Sequence, residues 1–333
     1  MKNITPQKSN SLTIDICKFI GAYMVVAIHT TPFEQTDGVI SNIYFIFLKC
    51  AVPFFFMSSG YLFAQRMEWP FSSKKGLSLI SHALFKTVKL YVIWSIIYLP
   101  FSVLDFYRSD IGLRAAILTY IKDFFFVGEH YGSVILWYLL ASAYAFAIIW
   151  LFLKIKVNPW IIMTIGLVLI CARNYVEIAV SSENVSETVK ILSKIMGANI
   201  VNKRLFDGLF YISFGMVSGR IRIPILADVF IMAAGFAGGV LFKNFSSFFV
   251  IVCALSLFGI AKSIKLSCVS ERKILRRMST GIYFIHFYVY YLISRLIFHQ
   301  YNGIPAFLIV SSVTTAAVFA YIVIYDAIRQ KIR

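Results

Sequence analysis

The sequence predicts an all-α bundle of membrane-spanning helices, and three observations support this fold class. Hydrophobic residues make up 59% of the 333 residues, charged residues only 14%, and the mean hydropathy is +0.79. Several apolar runs reach the roughly 20 residues that a helix needs to cross a bilayer. Lys and Arg concentrate in alternate connections between these runs. Such a chain is too apolar for a soluble domain and is predicted to be a multi-pass protein of the cell membrane.

The apolar runs predict about ten spans, in one domain over residues 1–333 because no long polar linker interrupts them. The spans are 13–31, 41–64, 79–104, 132–153, 158–173, 205–219, 223–242, 246–262, 278–298 and 304–328. The connections after even-numbered spans, and both chain ends, are rich in Lys and Arg. Because such segments stay on the cytoplasmic side, both termini are predicted to be cytoplasmic.

The net charge and the cysteine spacing limit the kinds of ligand and cross-link that the chain is expected to have. The net charge of +17 follows largely from the cytoplasmic connections, and it favours membrane lipids with anionic headgroups and anionic cytosolic ligands rather than nucleic acid. The five cysteines are scattered, with no Cys-x-x-Cys or Cys/His spacing. We therefore expect neither a disulfide framework nor a metal site.

The first span carries two ionisable residues, Lys18 and His29. Eleven positions separate them, which places both on one stripe of the helix, roughly 16 Å apart along its axis. Asp15 shares this face and is predicted to pair with Lys18. Ionisable groups inside a span usually face a protein interior or a wet cavity. The simpler alternative is that Lys18 snorkels to the headgroups and His29 marks the helix end.

Three further spans carry candidate residues. Lys86 and Lys89 lie one turn apart at the start of the third span, a spacing that can bind one phosphate group. Taken alone, positive residues beside a span are more often topology anchors. His286 lies in the aromatic ninth span, where a lone histidine is usually a hydrogen-bonded packing residue. In the second span, Pro53 and the run Ser58–Gly60 permit a bend or a close helix contact.

Taken in order, these segments resemble the acyltransferase family 3 membrane proteins. Lys18 and His29 resemble its basic-x10-His motif, FFFMSSGYLF its second-helix motif, and Lys86-x2-Lys89 its basic pair, which is usually two arginines. Residues 136–138 (Leu-Trp-Tyr), 202–215 and 279–286 are similar to three later motifs. The likeness covers nearly the whole chain and extends to inner-membrane O-acetyltransferases and the membrane domain of vancomycin-resistance serine racemases.

Two departures from the family pattern stand out. Lysines replace the usual arginines in the third helix, which loses the bidentate fork that a guanidinium offers to phosphate. Ile135 stands where several relatives have a histidine, so this position supplies no base.

The resemblance implies transfer of an acyl group, commonly acetyl, from cytosolic acetyl-CoA to a hydroxyl of an extracytoplasmic acceptor such as a surface saccharide. The cations expected to bind the coenzyme phosphates are Lys18, Lys86 and Lys89. His29 is the expected catalytic residue, either as a base or as a transient acyl carrier, with His286 as a second catalytic candidate. The candidate acceptor-binding residues are Glu129, His130, Trp137 and Arg204, and the last of these is also explained as a helix anchor.

Two other classes of function stay open. A transporter of a small polar substrate such as serine would also use basic residues along one stripe of a helix. A structural or interaction subunit explains the composition but leaves Lys18 and His29 unexplained. The sequence predicts neither the acceptor nor the oligomeric state.

Overall fold

The computed structural model describes residues 12–33, 38–109, 111–129, 131–180, 185–198, 204–266, 272–297 and 302–332. These described residues form thirteen α-helices and no strand. The helices are α1 Leu12–Thr30, α2 Val39–Lys49, α3 Ala51–Ala64, α4 Lys74–Arg108, α5 Leu113–Lys122, α6 Trp137–Lys154, α7 Pro159–Val180, α8 Glu187–Ala198, α9 Arg204–Ser218, α10 Ile225–Leu241, α11 Ser246–Ser263, α12 Arg272–Tyr291 and α13 Ile304–Ile332.

Each of the ten predicted spans coincides with a helix, and the all-α polytopic class is confirmed. Among the described residues, seven helices are long and apolar enough to cross a membrane, with α2 and α3 counted as one. The helices α9, α10 and α12 are not among these seven, so the number of ten spans stays a prediction. The sequence did not predict α5 and α8, which lie within the two long connections.

The second predicted span consists of two helices, with a break close to Pro53, where the sequence analysis allowed a bend. Helix α2 ends at Lys49 and α3 begins at Ala51. Pro53 lacks the N–H that would bond the carbonyl of Lys49 in a continuous helix, and its ring crowds that turn. The break is therefore a proline effect.

The chain divides into two compact units. The first contains the residues up to Phe55 and those from Ile223 onward, and the second contains Phe56–Arg222. The prediction of one domain over 1–333 stays a prediction.

Helices α1, α12 and α13 form a packed group in the first unit. The Ser279 hydroxyl of α12 donates to the Lys18 carbonyl of α1 (3.1 Å), and further along both helices the rings of His29 and Phe287 are in contact. Residue numbers rise together, so α1 and α12 run parallel. At the far end, the Gly303 N–H that precedes α13 donates to the Thr30 carbonyl (2.8 Å).

Helix α13 runs antiparallel to α1 and α12. Arg277, near the start of α12, pairs with Asp326, near the end of α13. The start of α1 and the end of α13 therefore lie at the same end of this group. This arrangement fits the predicted shared side of the two termini, and the cytoplasmic assignment of that side stays a prediction.

In the second unit, two glycines allow α3 and α9 to cross closely. A Cβ on Gly60 would clash with the carbonyl of Ile212, and a Cβ on Gly215 would clash with the carbonyl of Met57. Small residues at such crossings are typical of membrane helices, because they let two backbones approach. The close helix contact predicted for the Ser58–Gly60 run is therefore present. It fixes α9, and with it Arg204 at the start of α9.

Candidate functional site

The two candidate catalytic histidines lie side by side in the first unit. The ring centroids of His29, on the last turn of α1, and His286, on α12, are 5.5 Å apart. His286 is completely buried, and its Nδ1 lies 2.9 Å from the carbonyl oxygen of Ile282. Because a carbonyl only accepts, Nδ1 carries the hydrogen and Nε2 keeps a lone pair. Within the described part of the chain, this Nε2 has no hydrogen-bond partner.

Aromatic side chains surround the histidine pair. The ring of Phe287 contacts His29 edge-on with centroids 4.9 Å apart, and Tyr283 lies 6.1 Å from His286. His29 itself is only half-buried. His29 is therefore the more accessible member of the pair, and His286 is enclosed by the protein.

The opposite end of the same two helices is ionic. Arg276 Nε of α12 donates to both carboxylate oxygens of Asp15, at 2.8 and 2.9 Å. The Asp15 side chain is 0% exposed and that of Arg276 is 44% exposed. Lys18 lies within electrostatic range of both. The sequence predicted Lys18 as the counter-ion of Asp15, and the structure adds Arg276, which reaches Asp15 because α1 and α12 run parallel.

The predicted coenzyme cations are distributed over both units. Lys18 belongs to the first unit and is half-buried on α1, eleven positions before His29. Lys86 and Lys89 belong to the second unit and are exposed one turn apart on α4. Their joint binding of one coenzyme stays a prediction.

Three of the four predicted acceptor residues come together in the second unit. Arg204, the first residue of α9, pairs with Glu129 and places its guanidinium 4.3 Å from the ring centroid of Trp137, the first residue of α6. Gly128 positions Glu129: its φ of +73° is one that glycine adopts readily, and a Cβ there would lie 2.8 Å from the Cα of Trp137. The fourth residue, His130, lies outside the described residues.

A second polar group lies next to this cluster, and the sequence analysis missed it. Arg173 Nη1 donates to Asp207 (2.7 Å), while its Nε and Nη2 donate to the Asn174 carbonyl oxygen at 3.1 and 2.7 Å. Asn174 is 1% exposed, and its Nδ2 has no hydrogen-bond partner among the described residues. Asp207 lies one turn after Arg204 on α9, and its carboxylate interacts electrostatically with the Arg204 guanidinium. That spacing was the available signal, because residues three apart share a helix face.

The chemistry available at these sites is that of imidazole, carboxylate and guanidinium groups. Within the described ranges, no group of three or more His, Cys, Asp or Glu side chains could hold a metal ion. The histidine pair offers a base, and the two polar groups of the second unit offer hydrogen bonds and charge to a polar molecule.

The fold is that of a multi-pass membrane protein. A family model described as the acyltransferase domain matches residues 12–325, so the chain belongs to acyltransferase family 3. The resemblance in the sequence motifs is thereby confirmed at the level of the family.

The curated relatives carry a different name. Two proteins of Enterococcus faecalis, each named amino-acid racemase, are 35% and 36% identical to this chain over 145 and 144 residues. Each alignment covers 42% of this chain but only 19% and 18% of the relatives, so the chain matches less than a fifth of their length. No solved structure matches the chain significantly.

Proposed function

We propose that this protein transfers an acetyl group from cytosolic acetyl-CoA to a hydroxyl of an extracytoplasmic acceptor, a surface saccharide. One observation carries the proposal: His29 and His286 are paired at one end of α1 and α12, and the other end of the same helices carries Lys18 and Arg276. At about 1.5 Å per residue, the eleven steps from Lys18 to His29 cover roughly 16 Å. This separation suits a thioester that reaches inward from coenzyme phosphates.

The proposed reaction uses His29 as a general base. A His29 nitrogen takes the proton of the acceptor hydroxyl, and the hydroxyl oxygen attacks the thioester carbonyl carbon. The C–S bond then breaks, and the coenzyme thiolate takes the proton back from His29. In the alternative course, a His29 nitrogen attacks first and carries the acyl group before the acceptor does. Both courses give the same ester and free coenzyme A.

His286 contributes through its unprotonated Nε2. This lone pair lies in an aromatic, poorly solvated setting beside the His29 ring, where its attraction for a neighbouring positive charge is screened less than it would be in water. His286 therefore favours the imidazolium that forms when His29 accepts the proton. It acts as a positioning residue, because it is completely buried.

The remaining candidate residues bind the two substrates. Lys18 in the first unit is a proposed cation for the coenzyme phosphates, and Lys86 and Lys89 in the second unit are proposed for the same role separately. The contact of Arg204 with Glu129 and Trp137 supports an acceptor site, because carboxylate, guanidinium and aromatic groups are suited to polar, hydroxyl-rich ligands. His130 completes this proposed set.

The decisive experiment replaces His29. We expect His29→Ala to lower acetyl transfer by about 10²–10⁴-fold, the usual contribution of a general base, and to leave acetyl-CoA affinity unchanged. Transfer is measured in membrane vesicles as labelled acetyl moved from acetyl-CoA to envelope saccharide. The matched control is His82→Ala, which removes an exposed histidine of α4. If His29→Ala retains most of the activity, the proposed mechanism is wrong.

The names of the curated relatives favour a second candidate, a transporter of a small polar substrate such as serine. This function predicts that serine enters proteoliposomes containing the wild-type protein without acetyl-CoA. It also predicts that the wild type transfers no acetyl group. The two measurements together distinguish the candidates.

A further inference from the structure

Two neighbouring arginines on α12 are each bound to a carboxylate of another helix, but in different ways. Arg277 uses the tip of its guanidinium: Nη1 donates to both oxygens of Asp326, at 2.8 and 2.6 Å. Its Nη2 lies 3.4 Å from the carbonyl of Ile322. Arg277 is thus committed to holding α12 on α13.

Arg276 is bound through its Nε, the guanidinium nitrogen nearest the main chain. The Asp15 carboxylate that holds it is 0% exposed, whereas the Arg276 side chain is 44% exposed. A buried carboxylate therefore orients a guanidinium that reaches the surface of the unit. Planar guanidinium groups held in this way are suited to phosphate, which they can bind with two parallel hydrogen bonds.

Lys18 adds a second cation at the same place. It lies within electrostatic range of Arg276 and Asp15. Its carbonyl also accepts a hydrogen bond from Ser279, three residues after Arg276. The side chains of these three ionisable residues bring two positive charges and one negative charge, so an excess of positive charge remains. By the distribution of Lys and Arg in the sequence, this end of the helices is predicted to face the cytosol.

We infer that Arg276, positioned by Asp15 and assisted by Lys18, binds phosphate groups of the acyl-CoA at this end of α1 and α12. The inference rests on the proposed function and deepens it, because it assigns a phosphate-binding residue to α12. Arg276 supplies a guanidinium fork, which a lysine cannot offer.

The test compares two matched double variants in purified, detergent-solubilised protein. Asp15→Asn with Arg276→Gln removes both charges of the ion pair together, so neither of these two residues is left charged without the other. Asp326→Asn with Arg277→Gln removes the neighbouring ion pair in the same manner. We expect the first to weaken acetyl-CoA binding about ten- to hundredfold, as the loss of charge-assisted contacts implies, and the second to leave it unchanged.

A ligand without phosphate provides the second comparison. S-acetylpantetheine carries the same thioester arm, so both double variants should bind it as the wild type does. Arg276→Lys keeps the charge opposite Asp15 but loses the fork, and it should give a smaller loss of acetyl-CoA affinity than the double variant. This single variant also tests the inference if the double variant fails to fold.

Several results would overturn the inference. One is unchanged acetyl-CoA affinity in the first double variant, and another is an equal loss in both double variants. A third is a loss of anionic phospholipid binding with acetyl-CoA affinity intact, because the cations would then serve lipid headgroups. Failure of the wild type to bind acetyl-CoA is a separate result, which contradicts the proposed function itself.

Discussion

The individual residue that most needs an explanation is His286. His286 is completely buried, and its Nε2 has no hydrogen-bond partner in the described part of the chain. Burying an unsatisfied nitrogen lowers the stability of the folded protein, so its presence calls for a functional reason. The sequence left open whether it is a packing residue. Its place against His29 favours a role in catalysis, and a packing role makes a different prediction.

We expect His286→Phe to separate the two roles. Phenylalanine fills the aromatic site and removes the unsatisfied nitrogen, so the thermal stability should stay the same or rise. The rate of acetyl transfer should fall at least tenfold, because His29 loses the neighbour that favours its protonated form. Transfer and thermal unfolding are measured on the same preparation, with His82→Phe as the control. If His286→Phe keeps wild-type activity, His286 has a packing role and does not assist catalysis.

Residue patterns predicted part of the site and missed part of it. The stripe of α1 identified Lys18 and His29, because helix geometry fixes which residues share a face. The sequence analysis placed Arg276 in a connection, because the apolar run of the ninth span begins near residue 278. In the structure, helix α12 already begins at Arg272. Main-chain hydrogen bonds continue a helix beyond its apolar part, so polarity alone misplaces its end.

At the scale of elements, the close crossing of α3 and α9 is a packing contact of the second unit that depends on glycine. We expect Gly60→Ala to destabilise the protein by about 1–3 kcal/mol, because the new methyl group must displace the backbone of α9. Thermal unfolding in detergent measures the effect as a drop of a few degrees.

The chain offers a control for this substitution. A Cβ added at Gly112, before α5, has nothing within 4 Å, and its φ of −57° suits alanine. Gly112→Ala should therefore leave the unfolding temperature unchanged. If Gly60→Ala behaves in the same way, the close crossing is not present in the protein.

Helices were predicted correctly where the sequence contains an apolar run long enough to cross a membrane. Every predicted span has its helix, because an apolar run of this length can satisfy its backbone in a membrane only as a helix. The short helices α5 and α8 both contain charged residues, basic in α5 and of both signs in α8, and both lie in connections. Their sequences therefore do not distinguish a helix from a loop. The break before α3 was permitted by Pro53, but its exact position depends on local packing.

The whole molecule is organised by charge as much as by hydrophobicity. The net charge of +17 is concentrated in alternate connections and at the chain ends. In the first unit, the parallel pair α1 and α12 and the returning α13 place the two ends of the described chain together. This arrangement agrees with an even number of spans.

We expect reporter fusions at residues 37 and 270 to report opposite sides of the membrane, the first outside and the second in the cytoplasm. Both positions lie outside the described residues, in a connection without Lys or Arg near 32–40 and in a basic connection, respectively. A fusion at residue 333 should agree with the one at 270. Reporters at 37 and 270 that indicate the same side would contradict the predicted topology.

The ion pair of Asp15 with Arg276 has a consequence for the way the chain is made. The two residues are separated by 261 positions, so the ribosome completes the first helix long before Arg276 exists. At about 5–20 residues per second, this interval lasts roughly 13–52 s. During synthesis, Lys18 on the same helix is the nearby counter-ion for Asp15. Chains that stop before α12 would keep the buried Asp15 carboxylate without its arginine.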